Sequence, residues 1–158
     1  MSSPYVLFFH SSLRYFILLF AVIVVIQSLV GMLGKKRFGK NNKTFALLLL
    51  ISCDVQLLIG LILSKTHGWL SALSTPGLMK NAGLRFYAVE HPVGMIIAIV
   101  LVHIAYSISK KNIDDNVKFK RMFWYVFIAL AVFFATIPWQ GRPVVGRPNM
   151  PSLSSMPS

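Results

Sequence analysis

RFYAVEHPVGMIIAIVLVHIAYSISKK, residues Arg85–Lys111, is the stretch that decides the fold of this chain. It opens with charged and aromatic residues around His91, runs apolar almost to Ser109 and ends on two lysines. Because a helix rises about 1.5 Å per residue, roughly 20 apolar residues cross the hydrocarbon core of a bilayer. Pro92 suits the first turn of such a helix, where its missing N–H needs no partner. The stretch therefore predicts a membrane span with one histidine at its entrance and a second, His103, inside.

The composition extends this prediction to the whole chain. Of 158 residues, 56% are hydrophobic and only 13% are charged, whereas soluble domains carry about a quarter charged residues. Three further apolar runs predict three more helices, because lipid offers no hydrogen-bond partners to the backbone of an open strand. We therefore expect an all-α fold, an integral membrane four-helix bundle within residues 1–139. The expected spans cover about 13–34, 45–64, 88–109 and 122–138.

Residues 140–158 differ in composition from the predicted spans. They are rich in proline, glycine and serine, a composition that is typical of flexible segments and that supplies too few apolar residues for a core. We expect a flexible tail here.

The basic residues indicate how the bundle lies in the membrane. Two short loops, Gly34–Lys43 and Lys110–Arg121, carry five basic residues each, and the longer Lys65–Glu90 connection carries three. The positive-inside rule places the short loops in the cytoplasm and both termini on the outer, periplasmic side. This placement explains the net charge of +12, so nucleic acid is not an expected partner and the lipid bilayer is.

His10 and His91 are the candidate ligands of a haem iron. On ideal helices each histidine heads a stripe of small or polar residues; the stripes are Arg14, Ala21 and Ser28 below His10, and Gly94, Ala98 and Ala105 below His91. Small residues leave room for a porphyrin ring, but they equally allow two helices to pack closely in lipid. The pattern leaves both interpretations open.

Depth along the helices argues against the pair, but does not exclude it. Counted from the basic loop that follows each span, His10 and His91 are offset by six residues, about 9 Å along a straight helix. Helix tilt would reduce this offset. His103 lies about 18 Å beyond His91 and about 120° around the helix, so the sequence predicts one haem at most.

Asp54 and His103 form a predicted intramembrane polar pair. A carboxyl group in the middle of the second span must be neutral or find a partner. Counting residues from the basic loops places Asp54 within about 6 Å of the depth of His103. The two side chains would serve either as a polar contact that fixes helix register or as part of a proton relay.

Arg14 and Arg85 complete the candidate cofactor-binding residues. Both are expected near the outer membrane surface, where a guanidinium group binds haem propionates or lipid phosphates, or simply anchors a helix. The chain has no cysteine pair, phosphate-binding glycine loop or nucleophile motif. We therefore do not expect a stand-alone catalyst.

Four segments carry a resemblance to a known family: HSSLRYFILL (10–19), VQLLIGLIL (55–63), LRFYAVEHPVGMIIAIVL (84–101) and ALAVFFATIPW (129–139). In these the chain resembles small bacterial four-span proteins labelled cytochrome b or cytochrome b561-like, over roughly residues 8–139. The most specific element is Glu90-His91-Pro92. The resemblance implies a multi-pass protein of the bacterial inner membrane that binds haem b through His10 and His91. Relatives often carry a histidine in the second span, where this chain has Asp54.

The expected function is that of a cytochrome-b-like protein with one b-type haem, which transfers electrons within a respiratory or redox complex. A haem-free accessory subunit of a membrane complex is the alternative. A third, weaker alternative is a small proton-coupled carrier that uses Asp54 and His103. In each case the expected partner is another membrane protein or a second copy of the chain.

Overall fold

Four long helices dominate the computed structural model, which describes residues 4–149. They are α1 (Pro4–Leu33), α2 (Lys40–Thr66), α3 (Ala82–Ser109) and α4 (Asp115–Thr136). Each is long and apolar enough to cross a bilayer, and the described residues contain no strand. The predicted all-α fold with four spans is confirmed, and it indicates a multi-pass membrane protein.

The helices extend beyond the apolar runs that predicted them. α1 begins at Pro4 rather than near residue 13, so His10 lies within a regular helix. α3 begins at Ala82 and contains one π-helical turn, Phe86–Glu90, directly before His91. Hydropathy detects the part of a helix that lies in hydrocarbon, but backbone hydrogen bonding continues into the aromatic and polar flanks. Both candidate ligands are therefore held by helices and not by loops.

The helices form a closed ring of four. α1 packs against α2 and α4, and α3 packs against the same two helices, so α1 and α3 lie on one diagonal of the bundle. Mostly small and medium-sized apolar side chains fill the interior: Ala21, Val24, Leu49, Cys53, Ala98, Val102, Met122 and Ala129. Small residues let helix backbones approach closely in lipid, and large ones such as Leu58 and Phe16 face outward.

An even number of spans brings both ends of the described chain to the same end of the bundle. We call this the histidine end, because it carries His10 and His91. The opposite end, which we call the basic end, carries the two short loops, residues 34–39 and 110–114.

Close contact between α1 and α4 defines the basic end. A methyl group on Gly31 would lie 2.5 Å from the ring of Phe119, so only glycine allows this approach. Nearby, the Asn116 side chain donates a hydrogen bond of 2.9 Å to the carbonyl of Met32. This contact bonds the start of α4 to the end of α1.

The connection between α2 and α3 covers part of the histidine end. It contains a short helix, Trp69–Ala72, and a helical turn, Leu78–Lys80. Gly68 and Gly77 precede these elements with φ angles of 76° and 80°, a conformation that favours glycine. Trp69 stacks on Tyr87 of the π-helical turn, with 5.0 Å between ring centroids.

Residues 137–149 fold back over the histidine end. Val145 is buried, and its carbonyl accepts a 2.5 Å hydrogen bond from the Tyr87 hydroxyl. The Asn149 side chain accepts a hydrogen bond of 3.1 Å from the Gln140 amide. Residues 140–149 thus make defined contacts, both polar and apolar. The flexibility expected for residues 140–158 stays a prediction, and residues 150–158 lie outside the described residues.

Candidate functional site

His10 and His91 meet across the bundle. They project from the diagonal helices α1 and α3, and their ring centroids lie 6.4 Å apart with planes at 70°. Two imidazoles that each bind one metal ion at about 2 Å would have centroids roughly 6 Å apart. The pair therefore has the spacing expected of two ligands to one metal ion.

This contact corrects the depth estimate made from the sequence. Residue counting placed the two histidines about 9 Å apart along the bundle alone, whereas their ring centroids lie 6.4 Å apart in all. The count assumed straight, parallel helices that end at the same level. Membrane helices are tilted by about 20° on average, and side chains lean along the helix axis, which together are enough to close an offset of this size.

A backbone carbonyl fixes the orientation of the His91 ring. Nδ1 of His91 lies 2.8 Å from the carbonyl oxygen of Thr136, at the end of α4. Because a carbonyl only accepts hydrogen bonds, Nδ1 must carry the proton, which leaves the lone pair on Nε2. Metal-bound histidines are commonly held in this way by a second partner. The ring of Phe86 packs beside the imidazole at 6.0 Å.

Buried polar atoms without partners cluster around His10. Within the described residues, the atoms in question are His10 Nδ1, Ser12 Oγ, Arg14 Nε and Gln56 Oε1. Three belong to the same two turns of α1, and Gln56 joins them because its Nε2 donates a 2.8 Å hydrogen bond to the His10 carbonyl. Each unpaired buried group costs about 1–3 kcal/mol. A cluster of such groups indicates a place where a ligand or ordered water binds.

Arg14 brings a buried positive charge to this cluster. Arg14 is 9% exposed. Its guanidinium group donates a hydrogen bond to the carbonyl of Asn149, in the segment 137–149 that folds back over the histidine end and that we call the returning tail. The guanidinium also lies over the rings of Tyr15 and Trp139, at 5.0 and 5.7 Å from their centroids. Of the two predicted arginines, this is the one that contacts the tail at the histidine end.

Arg85, by contrast, joins the first turn of α3 to the connection that precedes it. Its Nε contacts Glu90 at 2.5 Å, and its Nη1 donates a 3.0 Å hydrogen bond to the Met79 carbonyl. Both ion-pair side chains are more than a third exposed. In the described part of the chain, Arg85 contacts neither candidate histidine ligand, and Glu90 pairs with Arg85 rather than with His91.

Two tail arginines that the sequence did not single out lie at the histidine end. Arg142 lies over the ring of Phe86 at 5.0 Å, and Arg147 lies over Tyr87 at 4.4 Å. The charges of Arg147 and Arg14 act on the imidazole of His91. Both tail arginines stand in a Gly-Arg-Pro triplet. This repeat is the feature of the sequence that could have drawn attention to them. The tail thus places two cations against consecutive aromatic residues of the π-helical turn.

Asp54 and His103 form a separate pair on another face. Asp54 Oδ1 and His103 Nε2 lie 2.8 Å apart and join α2 to α3. Their side chains are 46% and 49% exposed, so the pair faces the outside of the bundle rather than its interior.

Within residues 4–149, no three histidine, cysteine, aspartate or glutamate side chains cluster as a metal-binding group. The His10–His91 pair offers two ligands, the number that a haem iron takes from a protein when both axial positions are filled. Comparison of the chain with family models, curated proteins and solved structures finds no match.

Proposed function

We propose that this chain is a cytochrome-b-like membrane protein that binds one b-type haem between His10 and His91 and passes electrons to a partner in a redox complex. The observation that carries the proposal is the contact between two histidines from diagonal helices, with 6.4 Å between their centroids. The resemblance around Glu90–Pro92 supports it. The same resemblance favours the bacterial inner membrane, and the basic loops favour an orientation with the histidine end on the periplasmic side.

The donor set of the site fits a haem with two histidine ligands, a group that supplies one-electron chemistry. His91 would bind through Nε2, because Thr136 holds the proton on Nδ1. His10 would be the second ligand. Binding would offset part of the free-energy cost of the unpaired polar atoms that are buried around it. Arg14 and Arg147 would attract the carboxylates of the cofactor.

Visible absorption of the solubilised protein tests this proposal. We expect a spectrum that changes between the oxidised and the dithionite-reduced protein, and a pyridine haemochrome corresponding to about one haem b per chain. His10→Ala and His91→Ala should each remove most of the bound haem. His103→Ala is the matched control: it removes an imidazole of α3 outside the histidine end, and it should retain the spectrum.

A folded protein without a haemochrome, after expression in cells supplied with a haem precursor, would overturn the proposal. Equal haem content in His91→Ala and the unmodified protein would also contradict it.

A haem-free accessory subunit is the second candidate, and the packing below His91 favours it. A Cβ atom on Gly94 would overlap the side chain of Thr136, so the small residue in this stripe serves helix packing. In that case His91→Ala should weaken assembly of the complex without changing any redox spectrum. The carbonyl contact of His91 to Thr136 would then be purely structural.

A further inference from the structure

The Asp54–His103 pair joins the middle of α2 to the last two turns of α3, on a surface that lipid would otherwise cover. Asp54 is 14 residues from the start and 12 from the end of α2, about 20 Å from either end. Nearly half of each side chain is exposed. A polar pair in this position requires a partner that hydrocarbon does not provide.

Each side chain uses one polar atom within the pair and leaves the other unused. Asp54 Oδ1 and His103 Nε2 make the contact. In the described chain, no hydrogen bond reaches Asp54 Oδ2 or His103 Nδ1. An exposed histidine or carboxyl group in lipid is rare unless it faces a cavity or another protein.

As long as the pair carries no net charge, the unused atoms amount to one donor and one acceptor. If both groups are ionised, His103 Nδ1 is a donor and Asp54 Oδ2 an acceptor; if both are neutral and His103 Nε2 keeps its proton, the roles are exchanged. A second copy related by a two-fold axis presents the same two atoms in reverse order, because a two-fold interface is self-complementary. Two reciprocal hydrogen bonds then satisfy all four groups, with no net charge in either protonation state.

We propose that this face of α2 and α3 is the interface between two copies of the chain, with the second copy's Asp54 and His103 closing a four-membered polar ring. Neighbouring side chains supply an apolar rim around it. By helical spacing, Ile51 and Leu58 lie on the face of Asp54, and Ile96 and Val100 lie on the face of His103. These four are 49–62% exposed, so a second copy would find them available for packing.

Disulfide cross-linking in native membranes tests the interface without altering the polar pair. In a Cys53→Ser background, which removes the buried native cysteine, Val100→Cys should form a cross-linked dimer upon mild oxidation. Leu19→Cys is the matched control, because it is 53% exposed on the diagonal helix α1. We expect at least a tenfold difference in cross-linked fraction. Equal cross-linking at both positions, or none at Val100→Cys, would overturn the proposal.

Removing the polar pair should remove the dimer. The double variant Asp54→Leu/His103→Leu presents a uniformly apolar face that lipid covers readily, so we expect its mass in detergent to fall from two chains to one. A folded double variant that remains dimeric would contradict the proposal, as would cross-linking of Val100→Cys to a different protein. Haem content is measured on the same samples, so the interface and the histidine site succeed or fail separately.

Discussion

Thr136 determines two features of the histidine end. Its backbone carbonyl accepts a hydrogen bond from His91 Nδ1, and its side chain occupies the space beside Gly94. Its own hydroxyl donates a 2.7 Å hydrogen bond to the carbonyl of Val132, which fixes the position of the methyl group. One residue at the end of α4 therefore sets both the orientation of a candidate ligand and the distance between two helices.

Enlarging Gly94 should separate α3 from α4. We expect Gly94→Ala to lower the free energy of unfolding by about 1–3 kcal/mol, because the added methyl overlaps the Thr136 side chain. Unfolding in detergent, followed by circular dichroism, measures the change. Gly39→Ala is the control, since its added methyl would have only one atom nearby, at 3.9 Å.

The same steric argument predicts a rescue. Thr136→Ser keeps the hydroxyl and the backbone carbonyl but removes the methyl group that faces Gly94. The double variant Gly94→Ala/Thr136→Ser should therefore recover a large part of the lost stability. Simple addition of the two single effects would show that the overlap is not the cause.

At the scale of elements, the four spans were predictable because each contains a long apolar run that only a helix satisfies in lipid. The start of α1 at Pro4 and the contacts of residues 140–149 were not predictable, because they depend on polar and aromatic contacts between distant residues. The meeting of His10 and His91 depends on helix tilt and side-chain direction, which residue counting omits. The contact between Asp54 and His103 was easier to predict, because both residues lie within long helices and residue counting places them at similar depth.

The returning tail should loosen when its anchor on α1 is lost. Arg14→Ala removes the hydrogen bond to Asn149 and the contact with Trp139. We therefore expect proteinase K to cleave residues 140–149 several times faster in this variant, because cleavage follows local opening. Mass spectrometry of the products locates the cut.

Arg85→Ala is the control for this experiment. It also removes a guanidinium group, from the first turn of α3, but that group contacts Glu90 and Met79. Equal acceleration in both variants would mean that Arg14 does not anchor the tail.

At the scale of the whole molecule, the distribution of charge predicts the orientation in the membrane. In a Cys53→Ser background, we expect Asn112→Cys at the basic end to react with a membrane-impermeant maleimide only after the cells are opened. Ser74→Cys, in the exposed connection between α2 and α3, should react in intact cells. The reverse pattern would place the histidine end in the cytoplasm.

The two hydrogen bonds at the histidine end also have a mechanical consequence. Gln56 ties α2 to the backbone of α1 at His10, and His91 ties α3 to α4 at Thr136. Each bond joins two neighbouring helices at an imidazole-bearing residue, so a shift of α2 or α4 at this end would be passed on to the position of an imidazole. Spin labels on α2 and α4 would report such a shift as a change in their distance.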